Sequence, residues 1–185
     1  MSISVTRAET FKSYCRFIED WDRKKNISYH LQYIEFLYKI KKIHNPSSTT
    51  RSLLHKSIII EYFTVIEAII DALLCQLKVK VNESNFVPID IEEYTNAQRL
   101  LELAKKYKII DSDMHSQLGQ IKNTRNKIHI KRRQESEPLE YARYTVDELK
   151  KHEKIFNNFL AFLFQKYDID YSSYPWPLHE ANNIQ

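Results

Sequence analysis

Glycine is almost absent from this sequence of 185 residues, which contains a single one, Gly119. Sheets, hairpins and phosphate-binding loops all use residues that adopt positive φ easily. The shortage therefore predicts an all-α fold. It also excludes a Walker loop and a dinucleotide-binding fingerprint, because both need several glycines at fixed spacing.

Cysteine is also scarce, with Cys15 and Cys75 as the two examples. Both lie in helical apolar patterns, where a free thiol behaves as a small buried hydrophobe, so we expect reduced thiols in a reducing compartment. Apart from His129, considered below, the histidines show no spacing with cysteine or carboxylate that is typical of zinc ligands. The sequence predicts no metal site and no cofactor.

Long uncharged apolar runs are absent as well. No stretch approaches the roughly 18 to 20 residues of a membrane span, and residues 1–11 lack the apolar segment of a signal peptide. The most apolar stretch, Ile58 to Leu74, carries three acidic residues, Glu61, Glu67 and Asp71. We interpret it as a buried helix, and we expect a cytoplasmic protein with no membrane partner.

Apolar residues at helical spacing predict six helices, with capping boxes at Thr6/Glu9 and Thr145/Glu148. Their expected bounds are Arg7 to Lys24, Ile27 to Ile43, Thr49 to Val79, Asn96 to Lys108, Ser112 to Ile130, and Thr145 to Lys166. Two loops, Asn82 to Thr95 and Lys131 to Arg143, interrupt this series.

This pattern predicts an N-terminal helical pair over residues 1–48, packed on a bundle over residues 49–167. Residues 168–185 are rich in Tyr and Pro and are expected to form an irregular tail, with Trp176 docked on the bundle. We expect the aromatic residues of the first two helices and the last helix to lie in the core rather than to form base-stacking platforms.

The fifth predicted helix carries a cation on an apolar face. Met114, Leu118, Ile121 and Ile128 share one stripe, and Arg125 falls within it. An unpaired interior charge costs several kcal/mol, so the guanidinium needs a partner. That partner could be an acid of the long helix, a ligand phosphate, or a wet cleft between two protomers; the candidate acids are Glu61, Glu67 and Asp71.

Positive charge is concentrated around Arg125. The chain has a net charge of +4, yet no acidic residue lies between positions 122 and 133, where there are six basic ones. These are Lys122, Arg125, Lys127, Lys131, Arg132 and Arg133. Such a local positive field is typical of a surface that binds a polyanion, although the run at 131–133 fits a solvated loop equally well.

The segment from Leu118 to His129, LGQIKNTRNKIH, follows LLELAKKYKII from Leu100 to Ile110 and the long apolar helix that contains Glu67. Over roughly residues 49–164 the sequence resembles a HEPN domain. HEPN proteins are helical bundles that usually dimerise, and many are metal-independent RNases of toxin–antitoxin, abortive-infection and other defence systems. The resemblance implies a HEPN-like up-and-down bundle, a symmetric homodimer, RNA as substrate, and a cognate antitoxin as a further partner.

The resemblance also implies roles for individual residues. Arg125 would hold the scissile phosphate, Asn126 would be the polar residue that follows it, and His129 would act as acid or base. On the positively charged surface described above, Lys122, Lys127, Lys131, Arg132 and Arg133 would bind RNA. We interpret Glu61, Glu67 and Asp71 as members of bundle ion pairs or as solvent-facing residues, with orientation of Arg125 or His129 by one of them as the alternative. Three residues separate Arg125 from His129, fewer than is usual in the family. Both side chains nevertheless share a helical face.

Two other interpretations stay open at this point. A non-catalytic HEPN-type module would bind RNA, a nucleotide or a protein through the same residues without cleaving RNA. A purely structural helical dimer would use Arg125 in an internal ion pair and His129 in a hydrogen bond near the helix end, and it would show no salt-dependent affinity for RNA.

Overall fold

A computed structural model describes residues 3–44, 46–83, 96–128, 143–170 and 172 of the chain. This described part contains six α-helices and no strand. For residues 79–83 and 127–128 only the backbone is described. The helices are α1 (Ala8–Tyr14), α2 (Trp21–His44), α3 (Ser48–Glu83), α4 (Ala97–Lys106), α5 (Ser112–Ile128) and α6 (Val146–Lys166). The prediction of an all-α fold is confirmed.

The longest helix, α3, forms the centre of the fold. It packs against α2, α4, α5 and α6, while α1 packs against α2 and α5 packs against α4 and α6. A helix that is apolar over most of its circumference has to be covered on more than one side. Its buried residues include Ile58, Tyr62, Phe63, Ile66, Ile69, Ile70 and Leu74.

The break between the first two helices lies earlier than we expected. α1 ends at Tyr14 and α2 begins at Trp21. The sequence pattern instead predicts a first helix that ends at Lys24 and a second that begins at Ile27, whereas both residues lie inside α2. Asp20 starts α2, because its carboxylate accepts a hydrogen bond from the Arg23 amide at 2.9 Å. Asp is one of the residues preferred at the N-cap, where its side chain accepts from a backbone amide in the first turn of the helix.

The predicted capping box at Thr6 and Glu9 is wrong. Arg7 is the N-cap of α1 and makes no side-chain cap hydrogen bond. The amide and hydroxyl of Thr6 instead donate to the carboxylate of Glu35 on α2, at 2.8 and 3.2 Å. The N-terminal segment is therefore tied to α2 rather than used to begin α1.

Other helix ends follow the sequence pattern. Asn96, Asp111 and Thr145 each accept a backbone amide hydrogen bond at the start of α4, α5 and α6. In the second predicted capping box only Thr145 caps the helix, because the Glu148 carboxylate contacts His152 instead. α3 runs four residues beyond its predicted end at Val79. Residues 84–95, 131–142 and the tail with Trp176 lie outside the described residues.

Positive φ occurs without glycine in this fold. Lys108 (φ 58°) ends the turn after α4, and Asp168 (φ 51°) follows α6. The Lys166 ammonium donates to the carbonyl oxygens of Lys108 and Ile109, which fixes the strained turn against α6. Gly119 lies inside α5, and a Cβ there would meet no atom within 4 Å.

Three aromatic residues of the N-terminal helical pair are exposed, contrary to the expectation that they would lie in the core. Trp21, Tyr29 and Tyr33 have 54%, 48% and 45% of their surface exposed. The core face of α2 is formed by Ile27, Leu31, Ile34 and Leu37. Helical periodicity places Trp21 and Tyr29 largely on the opposite side of α2, and Tyr33 on its flank, one turn before Leu37.

Two buried histidines favour the neutral form in the folded protein. Burial lowers the pKa of His55, and the Tyr144 carbonyl that accepts from its Nδ1–H at 2.8 Å offsets this only in part. Burial likewise lowers the pKa of His152, although the Glu148 carboxylate lies 3.0 Å from Nε2. Both imidazoles are at most 1% exposed.

We therefore expect stability to fall as the pH is lowered from about 6.5, the ordinary histidine pKa, towards the folded pKa values. In this window the unfolded chain binds protons that the folded protein excludes. Each histidine contributes a slope of up to about 1.4 kcal/mol per pH unit. Urea unfolding of wild type and His152→Gln at a series of pH values should show a smaller slope for the variant.

The quantity to measure is the difference in pH slope between wild type and His152→Gln. The half-buried carboxyls Glu67 and Asp71, whose pKa values are raised, give a slope of opposite sign in both proteins, so their contribution cancels in this difference. Equal slopes for wild type and variant would contradict the prediction. His44→Gln is the matched control, because it removes an imidazole from an exposed position at the end of α2.

Candidate functional site

An open groove of about 800 Å³ lies between α3, α4 and the end of α5. Polar side chains from all three helices line it, together with a floor of Ala68, Ala97 and Leu100. The polar lining consists of Thr64, Glu67, Asp71, Asn96, Gln98, Arg125 and Asn126. Two of the residues that the sequence singles out for catalysis, Arg125 and Asn126, thus share one concave surface.

Arg125 lies where the apolar stripe of α5 meets this groove. The stripe residues Met114, Leu118 and Ile121 are buried, while the Arg125 side chain is 36% exposed. Its guanidinium carbon lies 5.8 Å from the centre of the Phe63 ring, so the cation rests on an aromatic face. The partly apolar position that the sequence predicts for this charge is the one that it occupies.

Glu67 is the acid that contacts Arg125. Its Oε2 lies 3.9 Å from Nη2 of the guanidinium, and a second guanidinium nitrogen, Nη1, donates to the Asn126 side-chain oxygen at 3.4 Å. Both distances are long for hydrogen bonds of a guanidinium to oxygen. The guanidinium is held in place mainly by electrostatic attraction.

Burial raises the pKa of Glu67, and the neighbouring Arg125 charge reverses this only in part. A raised carboxyl pKa means that the charged form is less favourable in the folded protein than in the unfolded chain. Its ionisation therefore reduces stability as the pH rises through the folded pKa. Glu67 is a carboxyl whose charge the groove tolerates poorly.

The other two candidate acids have different partners. Asp71, one turn after Glu67, accepts a hydrogen bond from Nη1 of Arg23 on α2, and burial raises its pKa against the effect of that arginine. Glu61 lies 2.7 Å from Nδ1 of His30, also on α2, and does not line the groove. Of the three acids, Glu67 is the one that the structure places against Arg125.

Two contributions to the groove were not found from the sequence. Arg23 binds Asp71 across a separation of 48 residues, and no local pattern distinguishes it from other charged positions of α2. Asn96 and Gln98 bring amide groups from the start of α4, and the side chain of Asn96 is also the helix cap. The cap was predictable, but its position in a groove depends on how α4 packs on α3.

The remaining predicted site residues are only partly described. The Lys122 ammonium donates to the side-chain oxygen of Gln98 at the edge of the groove. The Lys127 side chain, His129 and the basic residues Lys131, Arg132 and Arg133 lie outside the described residues. α5 is described as far as Ile128, the residue before His129 in the sequence.

Comparisons with known proteins identify no relative: no family model, no curated protein and no solved structure matches the chain. Among the residues that the structure describes, no group of three or more His, Cys, Asp or Glu side chains could hold a metal ion. No helix of this described part combines the length and apolar character needed to cross a membrane.

Proposed function

We propose that the chain is a metal-independent endoribonuclease of a toxin–antitoxin or anti-phage defence system, acting in the cytoplasm as a symmetric homodimer. The observation that carries this proposal is the guanidinium of Arg125, which stands at the wall of an open groove on a partly apolar seam. A cation so placed is ready to bind an anion of suitable size, and a phosphodiester is such an anion.

The Arg125–Glu67 geometry leaves guanidinium donors for a ligand. At 3.9 Å the carboxylate is beyond hydrogen-bonding distance of Nη2, so its N–H groups are not fully used by the ion pair. Two oxygens of a phosphate can accept from such a fork in parallel. In the proposed reaction Arg125 holds the scissile phosphate and stabilises the negative charge that develops there.

The proposed cleavage needs one proton removed and one supplied. The 2′-oxygen of the ribose forms a bond to phosphorus and loses its proton to a base, while the bond from phosphorus to the 5′-oxygen breaks and that oxygen gains a proton from an acid. We assign an acid or base role to His129, because imidazole titrates near neutral pH. Lys122, Lys127, Lys131, Arg132 and Arg133 would bind the flanking RNA.

One observation favours a second candidate, a HEPN-type module that binds RNA, a nucleotide or a protein without cleavage. The groove contains two carboxyl groups, Glu67 and Asp71, beside the arginine. If ionised, both repel a phosphate, and a ligand whose N–H groups donate to carboxylates would fit them better. A nucleobase or a peptide amide supplies such donors.

Cleavage assays on chelator-treated protein test the proposal. We expect purified wild type to cleave single-stranded RNA without added metal and to leave 2′,3′-cyclic phosphate and 5′-hydroxyl ends. Arg125→Gln should lower the single-turnover rate by about a hundredfold or more, the effect of removing one donor to a developing oxyanion. Lys150→Gln removes the same charge from an exposed residue of α6 and should retain activity.

Retained cleavage in Arg125→Gln would refute the assigned role of Arg125. Binding without cleavage by wild type, weakened in the same variant, would favour the non-catalytic module. Absence of any salt-dependent RNA affinity would contradict the endoribonuclease and the RNA-binding form of the module.

A further inference from the structure

A row of residues on α2, Trp21, Lys25, Tyr29 and Tyr33, forms what we call the α2 ridge. The four positions follow one another at intervals of four residues, so they rise by about 6 Å per step along one side of the helix. They lie outside the core face formed by Ile27, Leu31, Ile34 and Leu37. Each of the three aromatic residues is about half exposed.

Large exposed apolar side chains usually occur singly on the surface of a folded protein. Here three of the six exposed large hydrophobic residues among those described belong to one ridge. Tyr33 also stacks beside the half-buried Phe36, with ring centres 6.3 Å apart and planes at 24°. The exposed rings of the ridge are therefore grouped along one side of α2 and are not scattered over the surface.

Lysine side chains lie over the aromatic faces of this ridge. The Lys25 ammonium is 4.8 Å from the centre of the Trp21 ring and 5.8 Å from that of Tyr29. The Lys12 ammonium, which also pairs with Glu9, lies 4.8 Å from the Trp21 ring. Aromatic faces and cations thus lie side by side, and long lysine side chains can turn away from a ring at little cost.

We propose that the α2 ridge binds single-stranded RNA, with bases stacked on Trp21, Tyr29 and Tyr33 and with phosphates near Lys25 and Lys12. Exposed aromatic rings next to cationic groups match the bases and phosphates of a single strand. This inference deepens the proposed function and rests on it only in that RNA is the common ligand. The ridge would hold a part of the strand outside the groove that contains Arg125.

The composition of the ridge favours RNA over a protein partner. Lysine is depleted at the cores of protein–protein interfaces, where its charge would have to be desolvated. In the ridge a lysine lies between two of the rings, so a protein that buried Trp21 and Tyr29 would also bury Lys25. A nucleic acid strand instead offers that cation a phosphate.

Binding of an oligonucleotide that cannot be cleaved tests the ridge separately from catalysis. A labelled 2′-O-methyl oligouridylate lacks the attacking hydroxyl, and its fluorescence anisotropy reports the dissociation constant. We expect Trp21→Ala, Tyr29→Ala and Tyr33→Ala each to weaken binding about fivefold or more, the loss of one stacked base. Tyr29→Phe keeps the ring and should retain wild-type affinity, as should Leu53→Ala, which removes an exposed apolar side chain from α3.

Tryptophan fluorescence supplies a second readout that a merely structural role would not produce. The chain has two tryptophans, so Trp176→Phe leaves Trp21 as the reporter. Bases stacked on this ring should quench its emission as the strand is added, whereas an RNA duplex, whose bases are already stacked, should quench it far less.

Unchanged affinity in all three alanine variants would overturn the proposal. So would ridge variants that dissociate a homodimer in gel filtration while binding the oligonucleotide as wild type does, because the ridge would then be an interface with a second copy. The two proposals fail separately: binding through the ridge without cleavage refutes the endoribonuclease alone, and cleavage with unchanged binding by ridge variants refutes the ridge alone.

Discussion

Replacing Phe156 by alanine should lower the free energy of unfolding by about 3 to 5 kcal/mol, the range for loss of a fully buried aromatic side chain. Phe156 is 0% exposed on α6, and its ring stacks on Tyr62 of α3 with centres 4.5 Å apart and planes at 21°. The substitution would leave a cavity between the central helix and α6 and would remove a favourable ring pair. Urea unfolding followed by far-UV circular dichroism measures the change.

Two variants show whether the loss comes from the cavity. Tyr62→Phe keeps the ring stack and removes only the hydroxyl, whose oxygen lies 2.7 Å from that of Tyr38, so it should cost about 1 kcal/mol. Leu53→Ala truncates an exposed residue of α3 and should change stability by at most about 0.5 kcal/mol. A loss below about 1 kcal/mol for Phe156→Ala would contradict this account of the core.

His129→Ala should lower the single-turnover rate of RNA cleavage by about a hundredfold to ten-thousandfold, the usual contribution of a general acid or base. In the sequence His129 is four positions after Arg125, the group proposed to hold the phosphate, and four residues span about one turn of a helix. Loss of the imidazole removes a proton-transfer group while Arg125 and the groove stay in place. The wild-type rate should also show a pH dependence near neutrality that the variant lacks.

Affinity for the uncleavable oligonucleotide should stay nearly unchanged in His129→Ala, because the assigned role is in proton transfer and not in binding. His44→Ala removes an exposed imidazole at the end of α2 and should leave the rate as in wild type. Full cleavage activity in His129→Ala would assign the proton transfers to other groups and would end the catalytic interpretation of this residue.

Local features of the sequence predicted much of the fold. One glycine in 185 residues indicated helices, and short polar side chains at Asn96, Asp111 and Thr145 marked where three of them begin. One error arose where a long-range contact replaced a local one. Thr6 has the spacing of a capping box with Glu9, but it hydrogen bonds to Glu35, 29 residues away.

At the candidate site, too, local features were predictable and long-range contacts were not. The stripe on α5 showed that Arg125 is a cation in an apolar setting that needs a partner, and this followed from helical periodicity alone. The sequence could not show which acid is that partner, because Glu61, Glu67 and Asp71 lie within three turns of one helix. Packing of α5 selects Glu67, while α2 engages the other two through His30 and Arg23.

Exposed aromatic residues show the limit of interpreting hydrophobicity as burial. Trp21, Tyr29 and Tyr33 have the apolar character of core residues, yet helix α2 begins at Trp21 with a phase that turns them towards water. Which side of a helix faces the core depends on how the helix packs against its neighbours. Two positions along a helix correspond to a rotation of about 200°, so nearby residues can face the core and the solvent.

The central position of α3 has a consequence for shortening this protein. One side of α3 is covered by α2, and Gln76 binds the backbone of Phe17 and Glu19 between the first two helices. A fragment that began at Ser48 would present that uncovered apolar side to water and would release Asp71 from its arginine, so aggregation would mask any activity it kept. Residues of the N-terminal helical pair thus cover α3 and bind Asp71 without lining the groove themselves.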